Sequence, residues 1–198
     1  MEVVMVLRAL RRPLAVPAVL ACSAALLGAS GAATVAEADA PVVVITDWSA
    51  AKTAITATCP QGTQLVGGGY DSEPVHLGNG AVADAVNTNA PSASKPNSWV
   101  IKMDLGRAKA IAMCSKASAT PPTIVTSAWS AAKQAVYATC PARTQLTGGG
   151  YDSQPVHTGN GANADTVATN GPSAAKPNSW VVRMDLGKIQ SFAMCVPD

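Results

Sequence analysis

The feature that most constrains this chain is a long internal duplication. The segment 59–72 returns as 140–153, an offset of 81 residues, and this offset holds without a gap from Trp48/Trp129 to Cys114/Cys195. Of the 67 aligned positions, 47 are identical, so both copies are expected to fold into the same unit. A fixed internal period of this kind predicts two tandem copies of one structural module.

The repeats have the composition of strands and turns. The chain is 13% charged and contains 16 Gly and 14 Pro, and helix-forming Glu, Lys and Leu are sparse within the repeats. Ile55, Ala57 and Cys59 alternate with polar residues, and the segment 99–105 alternates in the same way, which is the period of a half-buried strand. The fold class predicted is all-β, with two tandem small antiparallel β-sandwich or barrel units of five or six short strands each.

The middle of each repeat has a less regular pattern. In the first copy we expect a strand over residues 81–88, followed by a long turn over residues 89–98 that contains two prolines. Three glycines at 67–69, and again at 148–150, predict a bulge, a bend or the close approach of another backbone. A phosphate-binding loop is disfavoured because no Gly-Lys-Ser/Thr follows the glycines.

Four of the five cysteines occupy matched positions, Cys59 and Cys114 in one copy and Cys140 and Cys195 in the other. Four cysteines allow three pairings. We expect disulfides within each repeat, Cys59–Cys114 and Cys140–Cys195, because each copy had to fold alone before duplication. Closing such a loop stabilises a unit by about 4 kcal/mol in the chain-entropy model. Zinc is disfavoured, since neither cysteine has a second ligand at the usual spacing.

Residues 1–40 have the three parts of a secretion signal. Three arginines within residues 8–12 precede an apolar run over residues 14–27, and Ala38-Asp39-Ala40 offers a cleavage site of the A-x-A type. We therefore expect a secreted, extracellular protein. The expected organisation is a signal peptide at 1–40, a first β repeat at 41–115, a linker at 116–122 and a second β repeat at 123–198.

Alternatives to cleavage and release stay open at the sequence level. The uncharged run 13–36 is long enough to span a bilayer, and Cys22 follows a sequence that loosely resembles a lipoprotein processing site. Cleavage nearer Ala33 or Ala36 is a further alternative, because Pro41 directly follows the A-x-A site. The position of the cut is therefore left open.

The charge balance argues against polyanionic partners. The formal net charge is +2, and the charged residues of the first 40 positions cancel, so the repeats carry the same net charge without a Lys/Arg cluster. Electrostatic capture of nucleic acid, or of a membrane surface after signal cleavage, is not expected.

The order of motifs in each copy resembles a known module. Cys-Pro-x-x-Thr-x-Leu-x-Gly-Gly-Gly-Tyr, then Asn-Ser-Trp-Val and a closing Ala-Met-Cys, are similar to a β module of uncharacterised secreted actinobacterial proteins and to terminal modules of bacterial collagen-like chains. The second copy departs from that pattern where Arg143 replaces Gly62. The resemblance implies an exported protein and implies no activity.

The polar loops 70–84 and 151–165 are the expected contact surface. Sugar sites pair an aromatic ring with a few Asp and Asn side chains, and the tryptophans are expected to fill the two cores. One such loop per copy would make the protein bivalent. The candidate ligand-binding residues are Tyr70, Asp71, His76, Asn79, Asp84, Tyr151, Asp152, His157, Asn160 and Asp165.

Neither a catalytic set nor a cofactor is expected. No Gly-x-Ser-x-Gly or His-Glu-x-x-His motif occurs. Metal ligation is a weak alternative for Asp71, His76 and Asp84, and for their copies Asp152, His157 and Asp165, because turn chemistry already explains most of these residues. A hydrolase built on His76 and His157 is a further alternative.

The function expected from the sequence is therefore that of a secreted, non-enzymatic tandem β-repeat protein. It would bind or decorate extracellular or cell-envelope material, for which polysaccharide is the candidate ligand. The alternative from another class is a secreted protease inhibitor that presents the exposed turn 89–98.

Overall fold

The computed structural model describes residues 40–116 and 120–198. The expected signal peptide lies outside the described residues except for Ala40, and residues 117–119 of the expected linker lie outside them as well. In the part of the chain that is described, no helix has the length and apolar character needed to cross a bilayer.

The described residues form strands, turns and bends, and contain no helix, which confirms the predicted all-β class. The strands of repeat 1 (residues 41–115) are β1 (Val42–Ile45), β2 (Ile55–Thr58), β3 (Gln64–Glu73), β4 (Val86–Pro91), β5 (Ser98–Met103) and β6 (Arg107–Ser115). Those of repeat 2 (residues 123–198) are β7 (Thr123–Thr126), β8 (Val136–Thr139), β9 (Thr144–Gln154), β10 (Val167–Pro172), β11 (Ser179–Met184) and β12 (Lys188–Pro197).

Each repeat is a small sandwich of two antiparallel three-stranded sheets. In repeat 1 the order β1-β6-β3 faces the order β2-β5-β4, and repeat 2 has the matching orders β7-β12-β9 and β8-β11-β10. Alternate residues of β6, which are alanines and Cys114, pack with Trp99, Ile101 and Met103 of β5 to form the core of repeat 1. Small residues on one sheet thus make room for large ones on the other.

The glycine segments lie where backbone and side chains approach closely. A Cβ at Gly68 would collide with the Trp99 ring, and a Cβ at Gly149 would collide with the Trp180 ring. The strand register also shifts between Leu65 and Gly67. Both the bulge and the close approach that the glycines predict are therefore present.

Both predicted disulfides are present. Cys59–Cys114 and Cys140–Cys195 join the segment after the second strand of each repeat to its last strand, with Cα–Cα distances of 5.6 and 5.5 Å. Structural disulfides of this kind indicate an oxidising environment.

The two repeats share one sheet. β4 of repeat 1 pairs antiparallel with β9 of repeat 2 through Thr88↔Asp152 and Asn89↔Tyr151, which produces a six-stranded order β2-β5-β4-β9-β12-β7. We call this contact the inter-repeat seam. Within the described residues, the repeats are therefore neighbours in one compact unit.

Two local expectations were wrong. The strand expected at 81–88 begins at Val86 and continues to Pro91, because a proline at the last position of a strand forfeits little of the ladder. The tryptophans do not all fill cores. Trp48 lies beneath Arg107 and Lys109, at 5.5 and 4.8 Å from the ring centroid, and Trp129 is 38% exposed.

Candidate functional site

A cleft of about 400 Å³ lies beside the inter-repeat seam. Five strands supply its walls, with Tyr70 on β3, Asn89 on β4, Tyr151 on β9, Asn170 on β10 and Met184 on β11. The further lining residues are Ala85, Val86, Ser153, Asn163, Asp165, Thr166 and Val167. The cleft is thus built by both repeats, and neither repeat has it alone.

Two asparagines of the cleft are held in fixed orientations. Asn89 Oδ1 accepts a hydrogen bond from Trp99 Nε1 at 2.9 Å, and Asn170 Oδ1 accepts one from Trp180 Nε1 at 2.7 Å. Because an indole nitrogen only donates, each amide must turn its oxygen to the ring. Each Nδ2 is therefore directed away from the indole, as a donor for another partner.

The two tyrosines of the cleft have different surroundings, although they are equivalent in the duplication. Tyr70 is 41% exposed and Tyr151 is 7% exposed. Burial, and secondarily the neighbouring Tyr70, raises the pKa of Tyr151 well above its ordinary value. Tyr151 therefore stays neutral in the wall, whereas the ring of Tyr70 is available at the surface.

The charged groups at the cleft are already engaged. Asp165 is buried, and its Oδ1 accepts from the backbone N–H groups of Thr166 and Leu186, both at 2.9 Å, while its Oδ2 accepts from Gly187 N. The surface that remains is aromatic, aliphatic and uncharged polar. It suits a neutral, hydroxyl-rich ligand better than an ion.

Asp84, the counterpart of Asp165, has the same structural role. Its carboxylate accepts from four backbone N–H groups at 2.6 to 3.2 Å: Val75, Ala85, Leu105 and Gly106. Side-chain acceptors of this kind replace backbone partners that a turn cannot supply. Both aspartates that sequence reasoning placed in a ligand site therefore hold the hairpin between the fifth and sixth strands of their repeat.

The predicted loop residues Asn79 and Asn160 shape their own turns. Their Oδ1 atoms accept from Ala81 N at 3.1 Å and Ala162 N at 3.2 Å. The following glycines, at 80 and 161, have φ of 83° and 85°, which an L side chain adopts only with strain. This arrangement is the tight-turn function of an Asn-Gly pair.

The two histidines also differ between the copies. His76 is exposed and its Nδ1 lies 3.3 Å from Gly80 O. His157 Nε2 lies 3.0 Å from Asp104 Oδ2 in the other repeat, but the angles of this contact are not those of a hydrogen bond, and Nε2 has no other hydrogen-bond partner among the described residues. The two histidines therefore have no geometry in common that would support the same chemical role for both.

The remaining two aspartates diverge in the same way. Asp71 is exposed, whereas Asp152 Oδ1 accepts from Thr88 Oγ1 across the seam at 2.8 Å. Burial raises the pKa of Asp152 and outweighs the hydrogen bonds from Thr88 and Ser153 N and the charge of Lys102, which lower it.

The candidate metal ligands do not assemble. Within residues 40–116 and 120–198, no group of three His, Cys, Asp or Glu side chains is close enough to hold a metal ion. The segment 89–98 is an exposed turn only in part. Asn89 to Pro91 belong to β4, Ala90 to Ser92 are buried, and only residues 93–96 are exposed.

Of the ten predicted site residues, the structure brings Tyr70, Tyr151 and Asp165 to the cleft and places the others elsewhere. Sequence reasoning missed Asn89, Asn170, Asn163 and Thr166. The occurrence of asparagine at both matched positions, 89 and 170, was the one available signal for these site residues, and the segment that contains them was instead expected to be a turn.

Comparison of the chain with protein-family models, curated proteins and solved structures finds no match.

Proposed function

We propose that the protein is an exported, non-enzymatic binding protein that attaches to extracellular or cell-envelope polysaccharide through its inter-repeat cleft. Two observations support export. Residues 1–40 have the pattern of a secretion signal, and both repeats carry disulfides of the kind that persist in an oxidising compartment.

The observation that carries the saccharide proposal is the surface chemistry of the cleft. The exposed ring of Tyr70 lies at one wall, and amides oriented by indole groups lie at Asn89 and Asn170. A sugar ring offers apolar C–H faces for stacking and hydroxyl groups that accept from amide N–H groups. Polar groups placed at fixed positions in a partly apolar cleft are typical of small-ligand sites.

The geometry changes the expected valency. The sequence predicted one binding loop per repeat and hence two sites. The cleft instead has two unequal tyrosine rings in its wall, the exposed Tyr70 of repeat 1 and the buried Tyr151 of repeat 2. We therefore propose one saccharide site per chain, so that binding rests on one contact rather than on avidity.

The test is retention of the purified protein on insoluble cellulose, chitin and bacterial cell walls, with Ca²⁺ and with chelator. Tyr70→Ala should weaken retention roughly tenfold, which corresponds to the loss of about 1.4 kcal/mol of ring contact. The matched control is Tyr137→Ala, since Tyr137 is a partly exposed ring outside the cleft.

Equal loss of retention in the Tyr70 and Tyr137 variants would assign binding to another surface. Absence of retention on every matrix would refute the polysaccharide proposal. Loss of retention with chelator would instead indicate a metal-dependent site, for which the cleft provides no ligand set.

A further inference from the structure

The inter-repeat seam joins two different surfaces. Repeat 1 contributes β4, together with the backbone oxygen of Val82 and the carboxylate of Asp104. Repeat 2 contributes β9, Asn163 and His157. Asn163 N donates to Val82 O at 3.0 Å. A contact between unlike surfaces is heterologous, and each repeat retains its own copy of the surface that the other one uses.

The unused copies are β3 and β10. β3 is the counterpart of β9, and β10 is the counterpart of β4, by the 81-residue offset. In the described part of the chain, both are the last strand of a three-stranded sheet. Their outward backbone groups therefore form open edges, which are templates for pairing with another strand.

The face that repeat 2 buries is exposed on repeat 1. Met194 of β12 is 0% exposed and belongs to the same apolar cluster as the core of repeat 1. Its counterpart Met113 is 40% exposed. Val43, Ile45 and Ile111 share a face with Met113, because they are cross-strand partners or alternate neighbours in β1 and β6. Repeat 1 thus presents an apolar face whose β12 counterparts in repeat 2, Phe192 and Met194, are buried.

The opposing surface shows the same asymmetry. Ala90 and Pro91 of β4 are fully buried at the seam, whereas their counterparts Gly171 and Pro172 are partly or fully exposed. A Cβ at Gly150 would collide with Asn89 O, whereas a Cβ at the counterpart Gly69 would meet nothing within 4 Å. The two surfaces of the seam are therefore each present twice in the chain, and only one copy of each is in contact.

Most polar partners of the seam are retained in the unused copies; the exception is Asn163, whose Nδ2 donates to Asp84 O at 3.3 Å and whose counterpart is Val82. Thr88 Oγ1 donates to Asp152, and Ser153 Oγ donates to Asn87 O at 2.9 Å. The corresponding residues are Thr169, Asp71, Ser72 and Ala168, with His76 and Asp185 for the pair His157 and Asp104. The Ala168 position supplies only its backbone oxygen, so the loss of the Asn87 side chain leaves that hydrogen bond possible.

We propose that a second copy of this chain docks its β3 edge, with the adjoining face of β6, onto the β10 edge of the first. The contact repeats the inter-repeat seam between molecules. The partner strands are β10 and β3, with Asn170 opposite Tyr70 and Thr169 opposite Asp71. Since one copy of each surface stays free at the ends, the assembly grows head to tail, as an open chain or a closed ring.

This inference does not rest on the proposed saccharide function. It draws on Tyr70 and Asn170, which also line the cleft, so assembly and saccharide binding are expected to compete. A soluble fragment of a retained polysaccharide should lower the average mass of the assembly. Failure of saccharide binding alone would leave the assembly proposal intact.

The test is sedimentation velocity and light scattering of the purified protein over roughly 10 µM to 1 mM, the range suited to a small contact. The weight-average mass should at least double across this range. Gly69→Val should hold the protein at the mass of one chain, because the added side chain enters the docking face while it meets no neighbour within the chain.

A second variant blocks the other side. Pro172→Asp places a charge where the counterpart Pro91 is fully buried, and should also give single chains. A mixture of the Gly69 and Pro172 variants retains one productive pair of surfaces, so it should form dimers and nothing larger. Tyr137→Asp changes an exposed side chain on β8, at the opposite edge of the sheet from β10, and is the matched control.

A mass of one chain at every concentration would overturn the proposal. Assembly of Gly69→Val to the wild-type extent would do the same, since the face would then not be in contact. If the mixture of the two variants assembled without limit, the contact would not be heterologous and the proposal would also fail.

Discussion

A substitution at Gly150 tests whether the inter-repeat seam depends on a glycine. A Cβ at this position would lie 2.6 Å from Ala90 Cα and would collide with Asn89 O, whereas ordinary carbon contacts are about 3.5–4.0 Å. Because both neighbours are backbone atoms of β4, they can move only if β4 shifts by about 1 Å, which separates it from β9.

The magnitude follows from what the seam contains. Opening it weakens the strand pair and the two side-chain hydrogen bonds, from Thr88 to Asp152 and from Ser153 to Asn87 O. Each hydrogen bond contributes about 1 kcal/mol, and overpacking typically costs about 1–3 kcal/mol. Gly150→Ala should therefore lower the free energy of unfolding by about 3–5 kcal/mol, if both hydrogen bonds are lost.

The assay is urea denaturation followed by tryptophan fluorescence, with the disulfides intact. Gly69→Ala is the matched control, because its Cβ meets nothing within 4 Å. That variant should be neutral, or stabilised by less than about 1 kcal/mol through its less flexible unfolded chain. The Gly150 variant should also unfold over a broader or two-step transition, as each sandwich retains its own core and disulfide.

Equal stabilities of Gly150→Ala and Gly69→Ala would refute the reasoning, because the two positions differ only in what the other repeat places against them. A single sharp transition of unchanged slope in the Gly150 variant would also contradict it, since the seam would then not be the element that couples the repeats.

Three further outcomes are expected. Burial raises the folded pKa of Tyr151 above its unfolded value of 10.0, so the folded state keeps its proton to higher pH and the free energy of unfolding falls as the pH rises above 10. Tyr151→Phe should reduce this fall when the free energy of unfolding is measured by urea denaturation at several pH values. An unchanged dependence on pH would contradict the burial argument. Burial likewise raises the folded pKa of Asp152 above 3.8, so its ionisation lowers stability as the pH rises from that value. Asp152→Asn should therefore gain stability relative to wild type as the pH rises from 3 to 7, and a stability difference that stays constant over this range would contradict the burial argument. Replacing Cys59 and Cys114 by Ala should lower the free energy of unfolding by about 4 kcal/mol, measured with the second disulfide intact, and a loss below about 1 kcal/mol would show that the loop is already constrained without the bond.

Much of the site could not be predicted from the sequence. Asp84 and Asp165 are ligand-type residues in a polar loop, and turn preference alone does not tell which backbone N–H groups they accept from. Asn89 is followed by Ala-Pro and Asn170 by Gly-Pro, and both sequences are typical of a turn. Only the position of the indole rings shows that these amides are oriented at a cleft.

The sequence by itself determined the unit and its covalent frame. Alternation of Ile55, Ala57 and Cys59 predicts a buried strand face, and the matched cysteines predict one disulfide per repeat. Both depend only on residues within one copy, and the copies are identical at 47 of 67 aligned positions, so each copy folds in the same way.

Only the tertiary structure decided how the copies differ. Tyr70 and Tyr151 lie in the same Gly-Gly-Gly-Tyr-Asp-Ser sequence, and Met113 and Met194 lie in the same Ala-Met-Cys sequence, and yet one member of each pair is exposed and the other is buried. The physical reason is that β4 of one repeat meets β9 of the other. A contact between unlike surfaces gives equivalent residues unequal surroundings, and no periodicity within the chain encodes which member is covered.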